Sequence, residues 1–432
     1  MANGIVIAAP RSGSGKTTLT LGLLAALSAR SIAVAPAKVG PDYIDTAIMS
    51  RVAGRAAVNL DPWAMQPARL AALAAAQAAA ADLLLVEGVM GLFDGAADGT
   101  GSTADLAAGL GLPIILVVDA DRQSQSIAAL VHGFATWRPD VRVAGLIVNR
   151  AATTRHEAML RRALAPIDIP VLGVVPRRAA LALPDRHLGL VLPDEVAQFE
   201  AVVAAVAEVV SDFVDLNLLL ALSAPVGGHP AGEDAAPGLA PLGQRIAIAR
   251  DDAFAFLYAH WLADWRARGA ELSFFSPLAD EGPAADADAV FLPGGYPELH
   301  AARLAAATRF RAGLRAARDR DALVYGECGG FMVLGDTLTD AQGATHPMAG
   351  LLPVATRIDR PKRLLGYRRL AHASPLPWPP QLLGHEFHYS SVKQTRGTPL
   401  FAATDALGEP QRPMGAIVGR VMGSYAHVID VA

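Results

Sequence analysis

The chain alternates short apolar runs with longer stretches whose apolar residues recur at helical spacing. In the first half the runs are Ile5–Ala9, Ile32–Lys38, Leu83–Val86, Ile114–Val118, Val143–Val148 and Val171–Val174, with helices such as Thr17–Ala29 and Pro67–Ala80 between them. Runs without polar alternation read as strands buried on both faces, and helical crossovers between them predict a parallel sheet covered on each side. Ligands of such sheets sit beyond the carboxyl ends of the strands. The pattern lapses over Ser223–Gly243, which is rich in Pro, Gly and Ala and has no period, as an interdomain linker should be. It then restarts with strand Arg245–Ala249, helix Ala253–Arg268 and strands Glu271–Phe275, Ala289–Leu292 and Leu323–Tyr325. Two α/β domains are expected, residues 1–222 and 244–432, since 432 residues exceed what one core holds.

Composition narrows the classes. Hydrophobic residues make up 52% and charged residues 18%, which excludes global disorder. The net charge is −4, and Lys and Arg are scattered, so there is no basic stripe for nucleic acid or an anionic membrane. The longest apolar stretches, Ala71–Val86 and Val196–Leu222, carry Gln77 and Asp82, and Glu200, Glu208, Asp212 and Asp215. A charge at mid-bilayer costs roughly 2.5–3.5 kcal/mol, so neither reads as a membrane span. No signal-peptide pattern opens the chain, and a cytoplasmic location is expected. Cys328 is the single cysteine, which excludes an intramolecular disulfide or a cysteine-cluster metal site.

Candidate chemistry begins after the first strand, in Ala9-Pro10-Arg11-Ser12-Gly13-Ser14-Gly15-Lys16-Thr17-Thr18. This is the phosphate-loop pattern G-x-x-x-x-G-K-[ST] with Pro10 in place of the first glycine. Gly13 and Gly15 let backbone N–H groups turn towards phosphate oxygens at a helix N-terminus. Lys16 brings a charge to the outer phosphates, and the Thr17 hydroxyl is a Mg²⁺ ligand. Ser12, Ser14 and Thr18 complete the expected ATP cradle. Acids follow on loops that should share that edge of the sheet: Asp42 and Asp45 in Lys38-Val39-Gly40-Pro41-Asp42-Tyr43-Ile44-Asp45, Glu87 after the third strand, and Asp94 in Gly91-Leu92-Phe93-Asp94-Gly95. Hard cations take oxygen ligands, so these acids are candidates for Mg²⁺ and for handling an acceptor; taken singly, each of the aspartates also suits a loop turn. Asn149 suits either the adenine edge or a helix cap.

The second domain carries Tyr325-Gly326-Glu327-Cys328-Gly329-Gly330-Phe331-Met332, a strand, sharp turn and helix with small residues around the cysteine. That is a nucleophile elbow, and a helix N-terminus is expected to lower the thiol pKa. An oxyanion hole needs backbone donors held in advance; Gly295, in Pro293-Gly294-Gly295-Tyr296-Pro297-Glu298, and Gly329 are the candidates. For a base, His385, His388 and His427 are open on chemistry alone.

With the phosphate loop, KVGPDYID, PGGYPE, GECGGFM and GSYAHV in this order, the chain resembles the cobyrinic and hydrogenobyrinic acid a,c-diamide synthases of corrinoid biosynthesis over nearly its full length. The resemblance implies a dethiobiotin-synthetase-like parallel-sheet P-loop domain followed by a class I glutamine amidotransferase α/β domain. It implies MgATP-dependent phosphorylation of the a and c acetate carboxylates, and attack on each acyl phosphate by ammonia taken from L-glutamine. Cys328 would be the nucleophile and His427 its base. Asp42, Asp45 and Glu87 would serve the Mg²⁺/ATP/carboxylate centre, while Tyr43 and Ile44, with Asp94, would meet the corrinoid polycarboxylate. The opening AAPRSGSGKTT and the compact length look more like the hydrogenobyrinic branch. Arg11, Arg357, Arg360 and Arg363 are candidate substrate clamps, and a homodimer is compatible with the sequence. One departure stands out: many class I glutaminases carry an acid two residues after the histidine, where this chain has Ile429, with Asp430 one position further on. Slow or substrate-gated glutamine hydrolysis is expected. A P-loop switch or partition ATPase would account for residues 1–220 and leave Cys328 and PGGYPE without a job.

Overall fold

The computed structural model describes residues 2–178, 185–186, 189–190, 198–227 and 238–432. The chain forms two compact units, Met1–Ala236 and Pro237–Ala432. In the first, strands β1 (Asn3–Ala8), β2 (Val34–Val39), β3 (Val58–Leu60), β4 (Leu83–Glu87), β5 (Ile114–Asp119), β6 (Val143–Ala151) and β7 (Val171–Pro176) alternate with helices α1 (Lys16–Ala29), α2 (Tyr43–Ala53), α3 (Pro67–Ala78), α4 (Thr103–Leu110), α5 (Ile127–Thr136) and α6 (Thr154–Leu164). The sheet order is β3-β2-β4-β1-β5-β6-β7, and every one of these pairs is parallel. Strand β4 thus lies between β2 and β1, with Glu87 opposite Lys38 on one side and Ile7 on the other. The carboxyl ends of β1, β2 and β4 therefore deliver the phosphate loop and both acidic loops to one edge.

The apolar stretch after β7 contains helices α7 (Phe199–Phe213) and α8 (Leu216–Leu222), the latter capped by Asp215. Among the described residues no helix is long and apolar enough to cross a membrane. The expected linker is tied down at both ends. Ala224 and Pro225 pair antiparallel with β1, while at the far end Leu239 and Leu242 are buried and Ala240 O accepts from Trp378 Nε1 at 2.8 Å. Its middle, 228–237, lies outside the described residues.

The second unit is built on a six-stranded sheet in the order Glu271–Phe275, Arg245–Ala249, Ala289–Leu292, Leu323–Glu327, Val421–Ser424, Ala416–Val418, parallel except for its last strand. Two expectations are corrected here. The helix expected from Ala253 begins at Ala259, because Phe256 N donates to Gly294 O at 3.0 Å and holds the preceding segment as an extended strap against the Pro293–Gly295 turn. Seven strands between Thr337 and Asp405, with a last one near the C-terminus, also form two four-stranded sheets, mostly antiparallel, that no motif announced. One of them ends in His427–Val431, paired with Gln381–His388 so that His427 lies opposite His385.

Candidate functional sites

The phosphate loop is closed from below. Gly15 precedes α1 at φ 86°, a conformation that favours glycine, and any side chain there would collide with the Asn149 amide. Asn149 is buried and donates Nδ2 to Ser14 O at 3.0 Å, while its Oδ1 accepts from Arg150 N; Thr153 caps α6. Its amide therefore braces the loop and does not cap the helix that follows. Arg150 adds a second brace, reaching Gly13 O and Asp119 Oδ2, each at 2.8 Å. Ser12 and Gly13 are exposed on the outer face of the loop, Ser14 is buried, and Thr18 lies in the first turn of α1. The Lys16 ammonium donates to Met90 O at 2.9 Å. Burial, and then the neighbouring charge of Lys38, bring its pKa down to about 8.

Lys38 is the site residue that the sequence left without a role. Its Nζ is buried at 2.5 Å from Asp45 Oδ2 and 2.9 Å from Glu87 Oε1. Burial alone would lower its pKa, but Asp45, Glu87 and Asp42 outweigh that and hold it well above the usual lysine range, so it stays charged. The Thr17 hydroxyl donates to the same Glu87 oxygen at 2.5 Å. The other oxygen, Glu87 Oε2, is buried with no hydrogen-bond partner among the described residues. A hydroxyl and a buried carboxylate oxygen beside a phosphate loop fit Mg²⁺, which takes one or two protein oxygens and completes its shell with phosphate and water. No group of three or more His, Cys, Asp or Glu side chains suited to a metal occurs among the described residues.

Asp42 caps α2, accepting from Ile44 N and Asp45 N at 2.8 and 2.9 Å. Burial first, and then the Asp45 charge, push its carboxyl up to about 7. Tyr43 and Ile44 are buried in the first turn of α2, 9% and 5% exposed, and so offer little free surface to a macrocycle. Asp94 closes its own turn by accepting from Gly91 N at 2.9 Å. Arg11 is exposed and reaches Asp119 at 3.4 Å, and Arg357 is paired with Asp359.

In the second unit Cys328 ends the Leu323–Glu327 strand at φ 46°, ψ −105° and starts a six-residue helix, the strained elbow the motif predicts. Its N–H donates to Ser424 O at 2.8 Å, which locks the turn to the neighbouring strand. The expected low thiol pKa is corrected. Burial first, then the Glu298 carboxylate, raise it well above the usual thiol range, and the Gly329 N–H at the sulfur offsets only part of that. Glu298 is itself pushed up to about 7 by burial. The resting group is a thiol.

Gly294 separates the imidazole from the elbow. A methyl built on it would fall 2.5 Å from His427 Cε1, 3.0 Å from Phe256 Cδ2 and 3.3 Å from Cys328 Cβ. Gly295 N lies 3.2 Å from the position a Gly329 side chain would take, so both expected oxyanion donors belong to the same cleft. His427 is buried with its ring stacked on that of His385, centroids 5.0 Å apart. His385 faces Tyr258 Oη at 3.2 Å, and burial holds its pKa well below the usual value. His388 is engaged elsewhere: Nδ1 lies 2.8 Å from Ser390 O and Nε2 3.2 Å from Glu386. Of the three histidines, His427 is the one set against the thiol-bearing carbon across Gly294. Gly294→Ala is therefore expected to push the imidazole off its line and to cut glutamine-dependent turnover by roughly 10²-fold or more, while ammonium-dependent turnover stays intact; parallel assays with the two nitrogen sources check this.

Residues 5–191 match the CobQ/CobB/MinD/ParA nucleotide binding domain, and residues 245–430 match the CobB/CobQ-like glutamine amidotransferase domain. Among curated proteins, the hydrogenobyrinate a,c-diamide synthase of Brucella suis is 55% identical over 429 residues, covering 99% of this chain and 98% of that protein. Those of a Sinorhizobium species and of Rhodobacter capsulatus are 52% and 50% identical, covering 100% and 99% of this chain and 99% and 98% of theirs. With both units and both sites inside that match, the chain belongs to the hydrogenobyrinate a,c-diamide synthase family of glutamine amidotransferases.

Proposed function

We propose that this protein converts the a and c acetate carboxylates of hydrogenobyrinate to amides in cobalamin biosynthesis, consuming ATP and L-glutamine. The observation that carries the reading is identity above 50% running through both units, over 99% of the chain, with relatives of that name. Synthetase chemistry falls to residues 1–222 and glutaminase chemistry to residues 244–432, joined through 223–243.

A carboxylate is a poor electrophile, so it first attacks the γ-phosphorus of ATP and ADP leaves. Phosphate-loop amides and Lys16 hold the outer phosphates while charge shifts to the leaving group. A Mg²⁺ ion held by Thr17 and Glu87, with Asp42 nearby, would screen the charge on the transferring phosphoryl group. Lys38 pairs with both Asp45 and Glu87 and cancels one of their charges, and burial pushes the Asp42 carboxyl up to about 7. An anionic acceptor therefore meets less negative charge than three bare carboxylates would present. In the second unit the Cys328 sulfur, its proton passed to His427, attacks the glutamine amide carbon. Gly295 N–H and Gly329 N–H take the developing oxyanion, ammonia leaves, and water then frees glutamate from the thioester. Ammonia attacks the acyl phosphate and phosphate departs.

The test is to incubate the enzyme with ATP, [amide-¹⁵N]glutamine and either hydrogenobyrinic or cobyrinic acid, and to weigh the products at high resolution. Two ¹⁵N atoms per hydrogenobyrinate are expected. No label in either acid, with ATP and glutamine both intact, would remove the reading, and faster labelling of cobyrinic acid would move it to the cobalt-containing substrate.

A further inference from the structure

The residue that orients a glutaminase histidine through a carboxylate is absent from its customary place, since Ile429 is fully buried two positions after His427. Asp430 turns one oxygen to its own main chain, with Oδ1 accepting from Val431 N at 2.9 Å. Another carboxylate stands where the missing one should act. Glu327, the residue just before the nucleophile, is 1% exposed, as is His427, and its Oε2 lies 3.6 Å from His427 Nδ1. Its other oxygen is pinned by two donors, Tyr325 Oη at 2.9 Å and Val428 N at 3.1 Å. The carboxylate therefore grips the main chain one residue past the histidine and presents its remaining oxygen to the ring. Burial, and then Glu327 itself, hold Tyr325 well above the ordinary phenol range, so its hydroxyl stays a donor.

Taking Cys328 and His427 as the glutaminase pair, we propose that Glu327 is the positioning residue of this active site, the third member of the triad supplied from the nucleophile's own strand. The contact is at ion-pair length, and a shift of a few tenths of an ångström makes it a hydrogen bond; such contacts commonly tighten when substrate binds. A proton held on Nδ1 by Glu327 leaves the lone pair on Nε2, the tautomer a general base needs. His385, stacked on the same ring, fixes its plane but presents no carboxylate. A buried charge bonded only to Tyr325 and Val428 would be a structural feature of the turn; the oxygen facing Nδ1 makes it more than that.

Glu327→Gln tests this, because the amide can keep both pinned hydrogen bonds while offering Nδ1 an N–H, which favours the wrong tautomer. Glutamine-dependent kcat is expected to fall roughly 10²- to 10⁴-fold, with KM for glutamine within about threefold and ammonium-dependent amidation retained. Asp430→Asn, made alongside, should cost less glutamine-dependent kcat than Glu327→Gln; an equal or larger loss there would overturn the assignment to Glu327. Glutamine-dependent kcat within about threefold of the unaltered enzyme would overturn the proposal, as would a rise in KM alone. A measurement on the unaltered protein guards against a variant that misfolds: ¹⁵N-histidine NMR, with His427 assigned from its loss in His427→Ala, is expected to show the Nδ1–H tautomer. The Nε2–H tautomer there would overturn the assignment whatever the variants do. Failure of the underlying glutaminase reading looks different, because Cys328→Ala would then still use glutamine.

Discussion

Cys328→Ala is expected to abolish glutamine-dependent amidation, by a factor on the order of 10⁶ if the thiol is the nucleophile, while ammonium salts still support the reaction within a few-fold of normal. Alanine keeps the Cβ and the strained φ of 46°, so the elbow and the Ser424 tether need not move. Only the sulfur goes, and with it the thioester. The synthetase residues lie in the other compact unit, on the edge formed by β1, β2 and β4. The direction of the thiol pKa adds a second expectation about the same sulfur. A resting thiol kept protonated by burial and by Glu298 should react slowly with iodoacetamide near neutral pH and hydrolyse glutamine slowly on its own. Hydrolysis then waits on the steps that bring His427 and substrate together, which limits wasted glutamine. Equal loss of both nitrogen sources in Cys328→Ala would sink the two-site arrangement, and rapid alkylation would sink the gating argument.

The sheet of the first unit was legible because burial on both faces leaves unbroken apolar runs. Val58–Leu60 escaped notice because three residues around Asn59 carry no pattern; Asn59 is there for its amide, which bonds Gly40 O and Asp42 O. The elbow was legible too, since small residues on both sides of Cys328 serve a local steric need. What could not be read was anything set by desolvation or by partners distant in sequence. At Cys328 the helix terminus, which a motif shows, is outweighed by burial, which a motif does not show. Lys38 looked like the polar end of a strand, and its partner Glu87 is 49 residues away on the adjacent strand. A lysine ending an otherwise apolar strand, seven residues before an acid and beside a phosphate loop, was the available signal. Glu327 hid in the same way, an acid among the small residues of the elbow whose partner is a hundred residues further on. The antiparallel sheet that carries His385, His388 and His427 mixes buried and exposed positions without strict alternation, and periodicity in the segment is correspondingly weak.

The two buried lysines of the synthetase site should fail in different ways. Lys16→Ala is expected to remove ATP turnover with either nitrogen source and to leave the fold intact. Among the described residues that side chain bonds a carbonyl, Met90 O, and no acid, and its charge is disfavoured by burial, with a pKa of about 8. Its loss from the outer phosphates in a preorganised site should cost about 10³-fold or more in turnover, on the scale of a single key donor. Lys38→Met is expected to lose turnover as well, but through the acids it serves. Removing one partner of a buried ion pair costs about 3–5 kcal/mol, and here Asp45 and Glu87 are both left facing each other beside Asp42. The melting transition of the first unit should fall by on the order of 10 °C. It should recover in part at mildly acidic pH, because protonating the acids relieves the repulsion that Lys38 had cancelled. The sign follows from the direction of the shift at Asp42: a carboxyl raised to about 7 destabilises the fold as pH rises from the unfolded value of about 4 through 7, and losing Lys38, whose charge pulls that carboxyl down, raises it further. Thermal scans of both variants between pH 5.5 and 8 decide the matter. A Lys38→Met protein as stable as Lys16→Ala across that range would mean that the acids are not mutually repelling, and that the charge balance assigned to this edge of the sheet is wrong.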